Sequence, residues 1–275
     1  MSHFTVLVIG NNPEEQLMPF DENMEVEEYR VGLVSDEEKG RITKFYTTPN
    51  TDRHHYKLTK EEVEENKKLS FEELYEKYGE AWNNKRYRKD ENGDWTEYST
   101  YNPESKWDWY VLGGRWTGYF LPRKGKSGKL GQQGTFGNNP KEGWVDQIKK
   151  GDIDFVEMKK AEEKRAKKTY KEFEEKLKND PQTKKFHPYF EFGVKNKSGN
   201  NHEFIPETKE EYIERCNDLK TYAVVKDGVW YQKGDVGWFG MSSNEKDEAD
   251  WSAEFWKLIR ELPDDTMLSL YDCHI

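Results

Sequence analysis

The chain has 275 residues, a formal net charge of -10 and 36% charged against 33% hydrophobic residues, so a coat for nucleic acid is not expected, because phosphate binding needs concentrated Lys and Arg. No stretch approaches the roughly 20 apolar residues of a membrane span, and the start MSHFTVLVIG has no basic region ahead of its apolar run, so a soluble cytoplasmic protein with no membrane partner is expected. The only cysteines, Cys216 and Cys273, stand far apart and support neither a disulfide framework nor a zinc ribbon.

Aromatic residues reach 15% of the chain and supply the core that the aliphatic residues cannot, since each buries about 150–250 Å² when enclosed. In chain order, FTVLVIG (4–10) is β-branched and ends at Gly10, Asn11, Asn12 and Pro13, which reads as a buried strand followed by a turn. A helix is expected over 70–88, opened by the capping pair Ser70 and Glu73 and carrying Leu74, Tyr78 and Trp82 on one face.

The stretch SKWDWYVLGGRWTGYF (105–120) predicts an aromatic hairpin over 107–121 that turns at Gly113 and Gly114. That register sets Val111 opposite Trp116, Trp109 opposite Gly118 and Trp107 opposite Phe120, placing all three tryptophans in the core and giving Trp109 the space left by Gly118. The other face carries Asp108, Tyr110, Arg115 and Tyr119, a carboxylate, a guanidinium fork and phenols suited to a phosphate, carboxylate or carbohydrate-like ligand. An ordinary solvated sheet face has the same composition, and both readings stand at this stage. RKGKSGK (123–129) reads as a solvated loop rather than a basic binding strip. The strong helix formers and Glu/Lys pairs of 152–178 predict a long charged helix with few apolar positions, read as solvated. A flexible junction is expected at NDPQTKKFHP (179–188).

Near the carboxyl end, Thr208 with Glu211 forms a capping box. TYAVVKDGVWYQK then folds back at Asp227-Gly228, with Val225 opposite Trp230 and Val224 opposite Tyr231. Trp251, Phe255, Leu258, Ile259 and Leu262 recur at helical spacing, and TMLSLYDCHI closes the chain as a strand. Strand, helix, strand, strand, helix, strand is the order of a ferredoxin-like βαββαβ sheet, so the expected class is α+β, with 1–10 and 206–275 forming that core and 11–205 inserted into it. Pairing of the terminal strands brings His3 near His274, with Asp272 on the same face, a weaker candidate set for a metal or for acid–base chemistry.

Walker and dinucleotide glycine loops, G-x-S-x-G and H-E-x-x-H are all absent from the sequence, so no cofactor is implied and the common nucleotide hydrolases, serine hydrolases and zinc proteases are not expected. The opening MSHFTVLVIG, the central YSTYNPESKWDWYVLGGRWTGYF, the GWFGMSS turn and the terminal LYDCHI resemble an uncharacterised protein family associated with bacteriophage genomes. That resemblance implies a virus-encoded protein at work in a bacterial cytoplasm and supplies no activity. Two classes of function follow. The first is a non-catalytic accessory protein that sequesters or inhibits a host or defence component, either a protein or a nucleotide signal. The second is an enzyme acting on a nucleotide or nucleic acid through the Arg115 face or the His3/His274 termini. A homo-oligomer is compatible with either.

Overall fold

The computed structural model describes residues 3–49, 58–83, 86–135, 139–179, 194–196, 204–206, 208–237 and 241–275. It is a mixed α+β chain of two compact units, Met1–Glu22 with Glu104–Ile275, and Asn23–Pro103. Among the described residues no helix is long and apolar enough to cross a membrane. Most of the junction expected at 179–188 lies outside the described residues.

The chain opens with β1 (His3–Ile9) and the short helix α1 (Pro13–Leu17), then enters the smaller unit. There β2 (Tyr29–Leu33), α2 (Asp36–Thr47), α3 (Lys60–Asn66), α4 (Phe71–Asn83), β3 (Tyr87–Lys89) and β4 (Trp95–Ser99) follow. The strands form an antiparallel sheet in the order β2-β4-β3. Helix α4 starts where its capping pair predicts, with the Glu73 amide donating to Ser70 Oγ at 3.3 Å and the Ser70 amide to the Glu73 carboxylate at 2.8 Å. Ile42, Tyr46, Leu74, Tyr75, Tyr78 and Tyr87 make an aromatic core. The fully buried Asn66 is satisfied within it, donating to the Tyr46 carbonyl at 2.9 Å and accepting from the Tyr78 hydroxyl at 3.2 Å.

The larger unit resumes with β5 (Trp109–Gly114), β6 (Gln132–Gln133), β7 (Gln147–Lys149) and the long helix α5 (Phe155–Asn179). Short strands β8 (Val194–Asn196) and β9 (Phe204–Pro206) lead to α6 (Lys209–Asn217), and β10 (Ala223–Lys226) and β11 (Val229–Gln232) form the expected hairpin. The hairpin has Val225 opposite Trp230 and Val224 opposite Tyr231, and Asp227 and Gly228 turn it at φ of 53° and 75°. A small pair, β12 (Asp235–Val236) and β13 (Ser242–Ser243), precedes α7 (Glu248–Arg260) and the final strand β14 (Met267–His274).

These strands build one seven-stranded sheet in the order β11-β10-β1-β14-β5-β6, with β7 also paired to β14. The two chain ends pair antiparallel along their length, from His3 opposite His274 to Ile9 opposite Leu268. The hairpin corrects the ferredoxin-like expectation, because that topology sets the second hairpin strand beside β1. Here the first hairpin strand, β10, lies beside β1 and parallel to it, and β11 takes the edge. Burial explains the choice. Ala223, Val224 and Val225 are apolar on both faces and fully buried, as an interior parallel strand requires, whereas β11 carries the half-exposed Val229 and tolerates an edge. Residues 104–179, assigned to the insertion on sequence grounds, belong to the same unit as the terminal strands, and β5 extends their sheet.

Alternation along β1 and β14 divides the core. Phe4, Val6, Val8, Tyr271 and Cys273 face one side and pack with Leu17, Phe20 and Trp107. Leu7, Ile9, Leu268 and Leu270 face the other side, beneath Trp251, Phe255 and Ile259 of α7 and Met158 of α5. Each such buried side chain contributes about 1.5–3 kcal/mol. Helix α5 is not a bare solvated rod: Ala166 and Phe173 are buried against Tyr212 of α6, and the largely buried Glu162 is held by Lys141 and Arg165, while the exposed Lys160–Glu157 pair lies on an outer face.

Candidate functional site

The second face of the sheet changes character along its strands. Its apolar rows, Ile9 with Leu268 and Leu7 with Leu270, sit under the helices. The next row is Thr5, Asp272 and Val111, and the last is His3, His274 and Trp109, since partners across an antiparallel pair share a face. The period of two that puts leucines in the core at one end of β1 and β14 therefore puts two imidazoles, a carboxylate and an indole together at the other.

Each histidine has its own carboxylate. His3 Nδ1 lies 2.8 Å from Asp272 Oδ1, and His274 Nδ1 lies 2.6 Å from Asp108 Oδ1. The rings meet edge to face with centroids 5.0 Å apart, and the Trp109 ring meets His3 in the same manner at 6.0 Å. Asp272 is only 1% exposed, and its second oxygen accepts the Arg115 backbone amide at 2.9 Å. A carboxylate bound to Nδ1 fixes the orientation of an imidazole and leaves Nε2 for another partner. For His274 that other nitrogen is buried and has no hydrogen-bond partner among the described residues.

The double glycine is what admits Asp272. A Cβ on Gly114 would stand 2.3 Å from both Cβ and Oδ2 of Asp272, and one on Gly113 would stand 2.4 Å from Thr117 Oγ1 and 2.6 Å from Asp146 Oδ2. Gly113 and Gly114 thus thread the backbone between two buried carboxylates. Asp146 accepts the amides of Gly118 (2.7 Å), Tyr119 (3.1 Å) and Gly131 (2.8 Å), which ties the loop after β5 to the segment leading to β6. Burial pushes the Asp146 carboxyl above its ordinary range, against the pull of those amides.

The expected aromatic hairpin is therefore absent. β5 does not turn back on itself at Gly113-Gly114 but pairs antiparallel with β14 and parallel with β6. The face predicted to join Asp108, Tyr110, Arg115 and Tyr119 is accordingly divided. Tyr110 lies on the opposite side of the sheet, edge-on to Trp107 at 4.8 Å and to Tyr271 at 5.5 Å, and burial raises its hydroxyl. Tyr119 packs against the α7-covered core and donates to the Leu219 carbonyl at 2.7 Å, with its hydroxyl also raised by burial. Only Asp108, by its carboxylate, and Arg115, by its backbone amide to Asp272, join the histidines. Among the tryptophans, Trp107 is buried as expected and its Nε1 donates to the Leu17 carbonyl, whereas Trp109 is 49% exposed. Gly118 makes room for Pro140, 3.1 Å from its would-be Cβ, and not for Trp109.

The set His3, Asp272 and His274 does come together, but as oriented rings, each tied through Nδ1 to a different carboxylate. Among the described residues no group of three or more His, Cys, Asp or Glu side chains is arranged to hold a metal ion. Asp146 was missed by sequence reasoning because GWVDQI carries no signal that its carboxylate would bind three distant amides. A groove of about 1730 Å³ lies elsewhere, between α5, α6 and α7, with Phe155, Ile213 and Trp256 among its lining and charges of both signs around it. Compared with known proteins, the chain matches no family model, and no curated protein or solved structure matches it.

Proposed function

We propose that the protein acts by binding, and that it holds a small phosphate-bearing anion at the His3–His274 pair. The observation that carries this reading is the pair itself: two adjacent imidazoles, each fixed through Nδ1 by a separate carboxylate. A protonated ring donates from both nitrogens, so with Nδ1 on its aspartate each ring offers an Nε2–H to an anion. The buried and unpartnered Nε2 of His274 supports the reading further, because a polar atom in that state costs about 1–3 kcal/mol that a partner removes. Arg115 contributes its backbone amide, which holds the second oxygen of Asp272 at 2.9 Å and so helps to fix the carboxylate that anchors His3. In the bacteriophage setting that the sequence resemblance implies, the corresponding role is sequestration of a host or defence nucleotide signal.

A second reading has one observation in its favour. Two adjacent rings, each anchored through Nδ1, are the residue type most used as acid and base, the equipment for turnover of a phosphoester. One experiment decides between them. Protein purified natively from expressing bacteria is denatured, and the released small molecules are identified by mass spectrometry, alongside a His3→Gln/His274→Gln variant. A phosphorylated compound carried intact by the wild type and missing from the variant supports binding. Conversion of that compound by fresh protein supports turnover. Equal loading of both proteins, or none, refutes the site.

A further inference from the structure

We infer that the anion is a mononucleotide, with its base stacked on Trp109 and its phosphate at the histidines. The inference rests on the anion-binding reading above and goes beyond it to the part of the ligand that the histidines do not touch. Trp109 stands opposite His274 in the strand register and edge-on to His3, so the indole and both imidazoles occupy one row of the sheet. Its neighbour Trp107 is enclosed in the core, as is usual for so large a ring, yet Trp109 keeps 49% of its surface exposed. Its contact with His3 is edge-to-face, at 73° between the ring planes, and not a parallel stack. A nucleobase supplies the flat apolar partner that such a ring lacks, and stacking of this kind accepts every base because each presents a π-face.

Charge sets the length of the ligand. The chain carries a net -10, and Asp108 and Asp272 stand within the cluster, so a polyanionic strand meets repulsion that a single nucleotide largely escapes. The distance between phosphate and base in one nucleotide also suits a site whose groups lie in a single row, the indole being 6.0 Å from His3.

Calorimetric titration of the full chain with ribose 5-phosphate, adenosine, adenosine monophosphate and a single-stranded oligonucleotide tests this. The mononucleotide is expected to bind at least about fivefold more tightly than ribose 5-phosphate, the lower end of what one base–aromatic stack contributes. Trp109→Leu is expected to abolish that preference and leave the affinity for ribose 5-phosphate unchanged. Because Trp109 is half exposed, the variant is expected to unfold at the wild-type midpoint, which separates loss of stacking from loss of fold. Equal affinity for ribose 5-phosphate and the mononucleotide overturns the stacking claim while leaving the anion site intact. Adenosine binding as tightly as the mononucleotide, or the oligonucleotide binding more tightly, overturns the assignment of ligand class. Failure of all phosphate-bearing probes overturns the histidine reading itself.

Discussion

Gly114→Ala perturbs the contact on which the site depends. The added Cβ would stand 2.3 Å from Asp272 Cβ and Oδ2, on a backbone held at φ +56°. Holding a residue other than glycine in that region costs about 1–2 kcal/mol, and overpacking a filled site costs about 1–3 kcal/mol more, so a loss of about 2–5 kcal/mol is expected. Gly143→Ala is the control, because its φ is +78° but no atom lies within 4 Å of the added Cβ, leaving only the conformational part. Urea unfolding of the two variants should therefore differ by the crowding term, about 1–3 kcal/mol. Asp272 also holds His3, so Gly114→Ala should disturb the His3 ring resonances while Gly143→Ala should not. Equal unfolding midpoints with undisturbed His3 signals would show that Asp272 does not fill the space beside Gly114.

Asp146→Asn keeps the shape of the side chain but places an amide donor among three backbone donors, and a loss of about 2–4 kcal/mol in unfolding free energy is expected where bonds to a charged acceptor are broken. Trp107→Ala should cost about 3–5 kcal/mol as a core truncation, whereas Trp109→Ala should leave the midpoint nearly unchanged; the opposite ranking would contradict the sheet register. Burial raises Asp218 and Glu248, but Lys220, together with Trp256 for the first and Lys233 for the second, outweighs it and holds both carboxyls below their ordinary values of 3.8 and 4.5. Their folded values being depressed, the stability they contribute is present above those pH values and is lost as pH falls through the folded ones. Lys220→Gln should therefore flatten the acid side of a pH–stability profile, and a profile that keeps its slope would refute the assignment.

Much of the fold was legible because its signals are local. Capping pairs placed the starts of α4 and α6, Asp227-Gly228 placed the hairpin register, and spacing placed Trp251, Phe255 and Ile259 on the buried face of α7. Pairing of the chain ends also followed from element order, and with it the meeting of His3 and His274. What was not legible depends on distant partners. Gly113-Gly114 resembles a hairpin turn in isolation, and only Asp146 and Asp272, far along the chain, make it a passage between carboxylates. The division of Tyr110 and Tyr119 between opposite cores follows from that single difference. The partner of His274 was missed for the same reason, since Asp108 reaches it only because β5 pairs with β14.

Nitrogen-15 spectra of the six histidines, recorded through a titration with adenosine monophosphate, address the anion site most directly. With each Nδ1 held by a carboxylate, His3 and His274 should show protonated Nδ1 in the free protein, and their Nε2 signals should move together on binding while the other four histidines stay fixed. Movement of other histidines alone, or no movement at ligand concentrations that saturate calorimetric binding, would place the ligand elsewhere and contradict the account.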